Sequence, residues 1–256
     1  MLGFLMQKLN IFDYLYSMKS TDLINERIKS IGEGVVFGYS DLNLPADLLS
    51  ASAMALSRMV RDNQLRKVGK GKFYKPIVSR LGEMPPMIEQ MTKDLLFKDG
   101  RRIGYITGVP AFAQLGLTTQ ISSKIMIGSL TYRRPLKRAG YEISFTKQLN
   151  VINDESIPLL RILDALKFIK KIPATTTNQV VEVLKNKIRS LKEIELKSLI
   201  NYGENYPASV IALLGAILET IGYNGIILKN LLSPFTKYNL GISPAVLPTK
   251  SNWNII

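Results

Sequence analysis

From residue 20 onward the apolar positions fall into short, well-punctuated periods. Ser20, Thr21 and Asp22 offer caps for a helix that carries Leu23, Ile24, Ile28 and Ile31 on one face. After Gly32-Glu33-Gly34, the run Val35-Val36-Phe37 predicts a short strand, and Ser40-Asp41-Leu42 opens a second small helix that ends near Leu44-Pro45. A third helix follows, with Ser50 or Ser52 as its cap. Its apolar face is Ala53, Leu56, Met59 and Val60, and Ser57, Arg58 and Arg61 lie opposite. Leu65-Arg66-Lys67-Val68 and Phe73-Tyr74-Lys75 are two short strands joined by the glycine-permitted tip Gly69-Lys70-Gly71-Lys72. Helix, short strand, helix, helix, hairpin is the order of a winged helix-turn-helix, here over residues 20–76.

The proline at 76 and the Pro85-Pro86 pair mark a linker over 77–86, and a second domain is expected over 87–256. Its first part is mixed α/β: a helix over Met87–Phe97, then strands over Arg101–Thr107, Ile121–Leu130 and Tyr141–Phe145. From Ser156 the period becomes helical, over Leu159–Ile169, Gln179–Leu191 with Thr177 as cap, Glu193–Asn201 and Ala208–Thr220. The tail, Asn230–Ile256, is rich in Pro, Gly and Asn and is expected to lie extended over the helices. The whole is an α+β chain with a winged helix-turn-helix, a mixed α/β middle and a mostly helical C-terminal region. Residues 1–19 are an N-terminal extension. Within it, residues 1–17 read either as a short amphipathic interaction helix or as the product of an upstream start codon.

No membrane or export signal is expected, and the location is expected to be cytoplasmic. Lys8, Asn10 and Asp13 interrupt the apolar start and no small-residue cleavage site follows. The apolar stretch Ala208–Leu218 stops at Glu219, short of the ~18 residues of a membrane helix, and reads as a buried helix.

Charge adds a partner to this outline. Lys and Arg number 34 against 20 Asp and Glu, a net charge of +14 that favours a polyanion, nucleic acid or an anionic membrane surface, unless it serves solubility alone. The absence of cysteine and histidine removes thiol nucleophiles, disulfides, Cys/His zinc sites and imidazole catalysis. No phosphate loop, nucleophile elbow or calcium loop organises the remaining polar residues, so no enzyme, cofactor or metal site is expected. Asp154-Glu155 and Glu193-Ile194-Glu195 sit at helix starts, where carboxylates complement the helix dipole.

Between Arg58 and Arg80 stand Arg58, Arg61, Arg66, Lys67, Lys70, Lys72, Lys75 and Arg80, opposed only by Asp62. Such a cluster supplies phosphate affinity by releasing condensed counterions. Base reading would fall to the exposed start and face of the third helix: Ser50, Ser52, Met54, Ser57 and Arg58. Arg58 suits guanine O6 and N7, and Arg61, nearer the helix end, suits phosphate. A merely solvated helix face is the alternative. Lys70 and Lys72 at the hairpin tip would meet backbone or minor groove, while Phe73 and Tyr74 anchor the wing. A second basic group, Arg133, Arg134, Lys137 and Arg138, extends the DNA footprint, meets an acidic partner or is solvated.

Ala55-Leu56-Ser57-Arg58-Met59, Leu65-Arg66-Lys67 and Gly71-Lys72-Phe73-Tyr74-Lys75-Pro76 together resemble the N-terminal domain of AbiEi-type antitoxins. The likeness continues in Gln114-Leu115-Gly116-Leu117-Thr118-Thr119-Gln120, Tyr206-Pro207, Ala212-Leu213-Leu214-Gly215-Ala216 and Leu247-Pro248-Thr249. The resemblance implies the antitoxin of a type IV toxin-antitoxin (abortive infection) system. Its winged helix would repress its own operon at inverted repeats in double-stranded DNA, and the rest would counter a nucleotidyltransferase-like toxin. It carries the DNA-binding role onto the exposed winged-helix positions and names no antitoxin residue further on. An orphan regulator without a toxin, a metal-dependent nuclease built on carboxylates after residue 86, and a protein-binding adaptor are the other readings.

Overall fold

A computed structural model describes residues 20–80 and 82–256; the expected N-terminal extension lies outside them. The chain divides into two compact units. The first takes in residues up to 93 together with the short segment 137–140, and the second comprises 94–136 and 141–256.

The first unit has the expected element order. Helix α1 (Ser20–Ser30) is followed by β1 (Phe37–Gly38), α2 (Leu49–Arg61), β2 (Arg66–Gly69) and β3 (Lys72–Tyr74). The strands form one antiparallel sheet in the order β1-β3-β2, with Phe37 opposite Phe73 and Arg66 opposite Tyr74. Ile24, Ile28, Phe37, Leu42, Leu56, Leu65 and Phe73 close its core. The ring of Tyr39 meets Phe73 edge-on at 5.8 Å, so the hairpin is tied to the domain by aromatic packing, as Phe73 and Tyr74 were expected to do.

The expected second helix shrinks to two single 3-10 turns, Tyr39–Leu42 and Ala46–Leu48. Asn43 turns left-handed between them (φ 47°) and Pro45 cannot continue a helix, so four residues are all that fit. Asp41 closes the first turn by accepting the Gly38 amide at 2.6 Å. At the far end of α2, Asn63 adopts φ 61°, Gln64 donates its amide to the Met59 carbonyl at 2.9 Å, and Leu65 drops into the core.

Residues 77–84, expected as linker, instead carry a hairpin of β4 (Ile77–Ser79) and β5 (Gly82–Met84), and the division between units falls at 93/94 rather than 86/87. It lies within α3 (Ile88–Leu96), which begins after the proline pair.

In the second unit a small hairpin, β6 (Phe97–Lys98) and β7 (Arg101–Arg102), precedes a sheet in which β9 lies between β8 and β11. These strands are β8 (Gly104–Thr107), β9 (Lys124–Ser129) and β11 (Tyr141–Lys147), while β10 (Leu136–Arg138) falls mostly in the segment 137–140 of the first unit. β8 runs antiparallel to β9, and β9 parallel to β11. The single strand expected over 101–107 is broken at Ile103, whose amide leaves the ladder for the Leu96 carbonyl. The short helix α4 (Val109–Gln114) was not foreseen.

Then come α5 (Ser156–Lys167), α6 (Thr177–Arg189), α7 (Glu193–Gly203), α8 (Ala208–Thr220) and α9 (Ile226–Lys229). Thr176, not Thr177, caps α6, in a reciprocal pair with Gln179; Thr177 donates to the Gly241 carbonyl instead. Glu195 accepts the Lys192 amide at the start of α7, a helix-start role of the kind expected of it. Every residue of α8 from Val210 to Leu218 is buried, which accounts for its unbroken apolar run. The tail packs on this helix through a 3-10 turn, Pro248–Trp253, where the indole of Trp253 lies directly over Gly215. No helix among the described residues is long and apolar enough to cross a membrane.

Candidate nucleic-acid interface

The period of α2 sorts its side chains into two faces. Leu56 is fully buried, with Ala51, Ala55, Met59 and Val60 packed beside it. Ser50, Met54, Ser57, Arg58 and Arg61 are exposed, with Ser57 and Arg58 each three or four residues from Met54 and from Arg61, making one continuous stripe. Lys67 on β2 and Lys70 at the hairpin tip are exposed as well. These seven residues, all in the first unit, give an uncapped serine-methionine-arginine ridge and a cationic loop on one small scaffold. Such a ridge can enter a groove about 12 Å wide, with the lysines available to phosphates.

The remaining expected site residues are employed elsewhere. Ser52 faces the core with no exposed surface, and its hydroxyl donates to the Leu49 carbonyl at 2.7 Å, so it neither caps α2 nor faces a base edge. Leu48 stands at the cap position of the helix without a side-chain cap bond, and Ala53 lies off the buried face, which runs through 51, 52, 55, 56, 59 and 60. Arg66 makes a two-point pair with Glu83, at 2.9 and 2.6 Å, and also donates to Asn63. The ammonium of Lys75 donates to the carbonyls of Lys29 and Ile31, closing the end of α1, and burial holds its pKa below the usual lysine value. Lys72 folds back over Gly38 rather than outward, its Nζ 3.4 Å from where a Cβ there would stand. Arg61 lies 3.6 Å from Asp62, both well exposed.

The second basic group is divided between the two units. Lys137 and Arg138 belong to the first unit, where Arg138 donates to the Met91 carbonyl at 2.7 Å and lies against Gly69 of the hairpin. Arg133 and Arg134 belong to the second unit, and the Arg133 guanidinium stacks 5.9 Å from the Phe145 ring.

The second unit holds a polar cluster that the sequence reading did not single out. Asp164, on α5, is almost wholly buried and accepts the hydroxyls of Tyr105 (2.8 Å) and Tyr206 (3.0 Å). The Gln148 amide donates to both hydroxyls at 2.9 and 2.8 Å, and its carbonyl oxygen accepts from Asn150. Gly128 makes room for this arrangement: a Cβ there would stand 2.4 Å from the Tyr105 ring carbons. Burial pushes the Asp164 carboxyl above the usual carboxylate range, against the pull of the tyrosine hydroxyls and Lys167. The same burial, with the carboxylate beside them, raises both phenols, which stay neutral. The available signal was Asp164 itself, alone among the apolar residues of Leu159–Leu166 save Arg161.

Beside this cluster, Lys147, Gln148, Leu149, Lys167, Asn205, Tyr206 and Pro207 line an open depression of about 270 Å³. Among the described residues, no group of three or more acidic side chains gathers in a way that would hold a metal ion. Asp154 is paired with Arg102 at 2.7 Å, and Glu193 with Lys197 at 2.6 Å.

The fold has a counterpart in the crystal structure of the RV2827C protein from Mycobacterium tuberculosis. The likeness covers 84% of this chain and 82% of that one, with a TM-score of 0.54 and 14% sequence identity. Comparison with curated proteins gives no match. The model of the DUF6088 family matches residues 23–199, from the first core leucine of α1 into α7, and so the chain belongs to DUF6088, a family of unknown function.

Proposed function

We propose that the protein is a non-enzymatic regulator that binds double-stranded DNA and represses its own operon, inserting α2 into the major groove at inverted repeats. The observation that carries this is the exposed stripe Ser50, Met54, Ser57, Arg58 and Arg61 on a helix whose other face is locked into the core. Arg58 reads guanine, and Arg61, Lys67 and Lys70 neutralise phosphates, so affinity falls with salt. The test is a gel-shift titration of the full chain against the DNA upstream of its gene and against random duplex at physiological salt. Tight binding to the upstream DNA alone, weakened about 10- to 100-fold by Arg58→Ala, is expected. Equal affinity for both duplexes, with no effect of Arg58→Ala, refutes it.

The same proposal assigns an antitoxin role of type IV, countering a nucleotidyltransferase-like toxin. Its support is the resemblance running through the second unit, at Gln114–Gln120, Tyr206-Pro207 and Leu247-Pro248-Thr249. Co-expression with such a toxin encoded beside it is expected to restore growth. Failure with a toxin of verified activity leaves an orphan regulator.

A further inference from the structure

We infer that α2 recognises thymine through its 5-methyl group, with Met54 as the residue that touches it. This role presupposes the DNA-binding function proposed above and narrows it to a base preference.

The side chains available on α2 set the choice. Between Leu49 and Arg61 the helix contains no asparagine, glutamine, aspartate or glutamate. It therefore offers neither the paired donor and acceptor that grip adenine N6 and N7 nor the carboxylate that accepts from cytosine N4. Ser50 and Ser57 both donate and accept, and so discriminate weakly. What remains is Arg58, suited to guanine, and apolar surface. Met54 is 58% exposed and Leu49 46% exposed, in the half of the helix that leads into a groove. An apolar side chain in that position meets the one apolar group the major groove displays, the thymine methyl. Methionine, unbranched and polarizable, adapts to such a contact.

Spacing adds a geometric constraint. Met54 and Arg58 are one turn apart on the same stripe, a rise of about 6 Å, close to two base steps of about 3.4 Å. A helix lying along the groove would therefore place the contacted thymine within about two steps of the guanine that Arg58 reads.

The experiment first lets the full-length protein select its site from a random duplex pool, then replaces each thymine of the selected duplex in turn by deoxyuridine. That change removes a methyl group and leaves base pairing intact. For one thymine near the Arg58 guanine, wild-type affinity is expected to fall about fourfold, the effect of exposing one buried methyl. Met54→Ala is expected to bind the thymine and uracil duplexes equally, and Met54→Leu to keep the preference. Circular dichroism checks that the exposed substitution leaves α2 folded. The inference is overturned if wild type binds thymine and uracil duplexes equally at every position, if the preference survives Met54→Ala, or if the selected site has no invariant A·T pair. Selection that enriches no sequence at all overturns the DNA-binding proposal along with it.

Discussion

Gly215→Ala tests the packing of the second unit most sharply, because two ordinary effects oppose each other there. Within a helix, alanine for glycine normally stabilises by about 1 kcal/mol. At position 215 the new methyl would stand 2.1 to 2.5 Å from three carbons of the Trp253 indole, against about 3.5–4.0 Å for a normal contact, so the ring must retreat by more than an ångström. The ring has little room, being 3% exposed, and its Nε1–H donates to the Glu219 carboxylate at 2.5 Å. Overpacking at about 2 kcal/mol and loss of that charge-assisted bond at about 1.5 kcal/mol outweigh the helical gain. The net expectation is a loss of about 2–3 kcal/mol. For a unit of this size that lowers Tm by about 5–10 °C, readable by circular dichroism and by urea titration. Trp253→Ala alone is expected to cost about 3–5 kcal/mol. In that background the indole carbons at 2.1 to 2.5 Å are gone and Gly215→Ala is expected to stabilise. The same sign of effect in both backgrounds would refute the packing argument.

Asp164 gives a pH signature. Its carboxyl binds a proton more tightly folded than unfolded, so its contribution to stability is full below the usual carboxylate range and is lost as pH rises through its raised folded pKa. From about pH 4 upward, wild type should therefore lose stability relative to Asp164→Asn, with a constant offset because asparagine offers one acceptor where two hydroxyls donate; parallel urea midpoints across pH would contradict this. Glu83→Gln is expected to release Arg66, tighten DNA binding and steepen the log-log salt slope by up to about 0.9, while changing stability by less than about 1 kcal/mol; an unchanged slope would show that Arg66 stays away from phosphate. Lys75→Met is expected to lower the melting temperature of the first unit and leave the salt slope alone, since its ammonium serves the end of α1; a shallower slope with intact stability would reverse that assignment.

What the sequence disclosed and what it hid divide by distance along the chain. The order of the winged unit was legible because each element is announced within a few residues, by the glycines at 32 and 34, the apolar period of α2 and the Gly69–Lys72 tip. The roles of Arg66 and Lys75 were not, since their partners lie 17 and 44 or more residues away and nothing local marks a cation already engaged. Ser52 was half legible: it falls four residues before Leu56, on the buried stripe, but a serine before an apolar period looks like a cap. The Gln148, Tyr105, Tyr206 and Asp164 cluster draws on four separate elements or loops and could be suspected only from an aspartate among leucines. Of the candidate interface, exposure of Arg58, Arg61, Lys67 and Lys70 follows from the phase of α2 and the hairpin.

The small excursion at residues 137–140 bears on how the chain is made. The first unit is not finished when residue 93 leaves the ribosome, because Arg138, which holds the Met91 carbonyl and lies against Gly69, is still to be synthesised. The segment 137–140 joins the first unit only after β8, α4 and β9 have emerged, whereas the core from Ile24 to Phe73 is present in the chain well before that. Products that stop before 137 would keep the core beneath α2 and lack the Arg138 contacts with Met91 and Gly69. Synthesis through residue 140 is thereby what completes the contacts of the first unit.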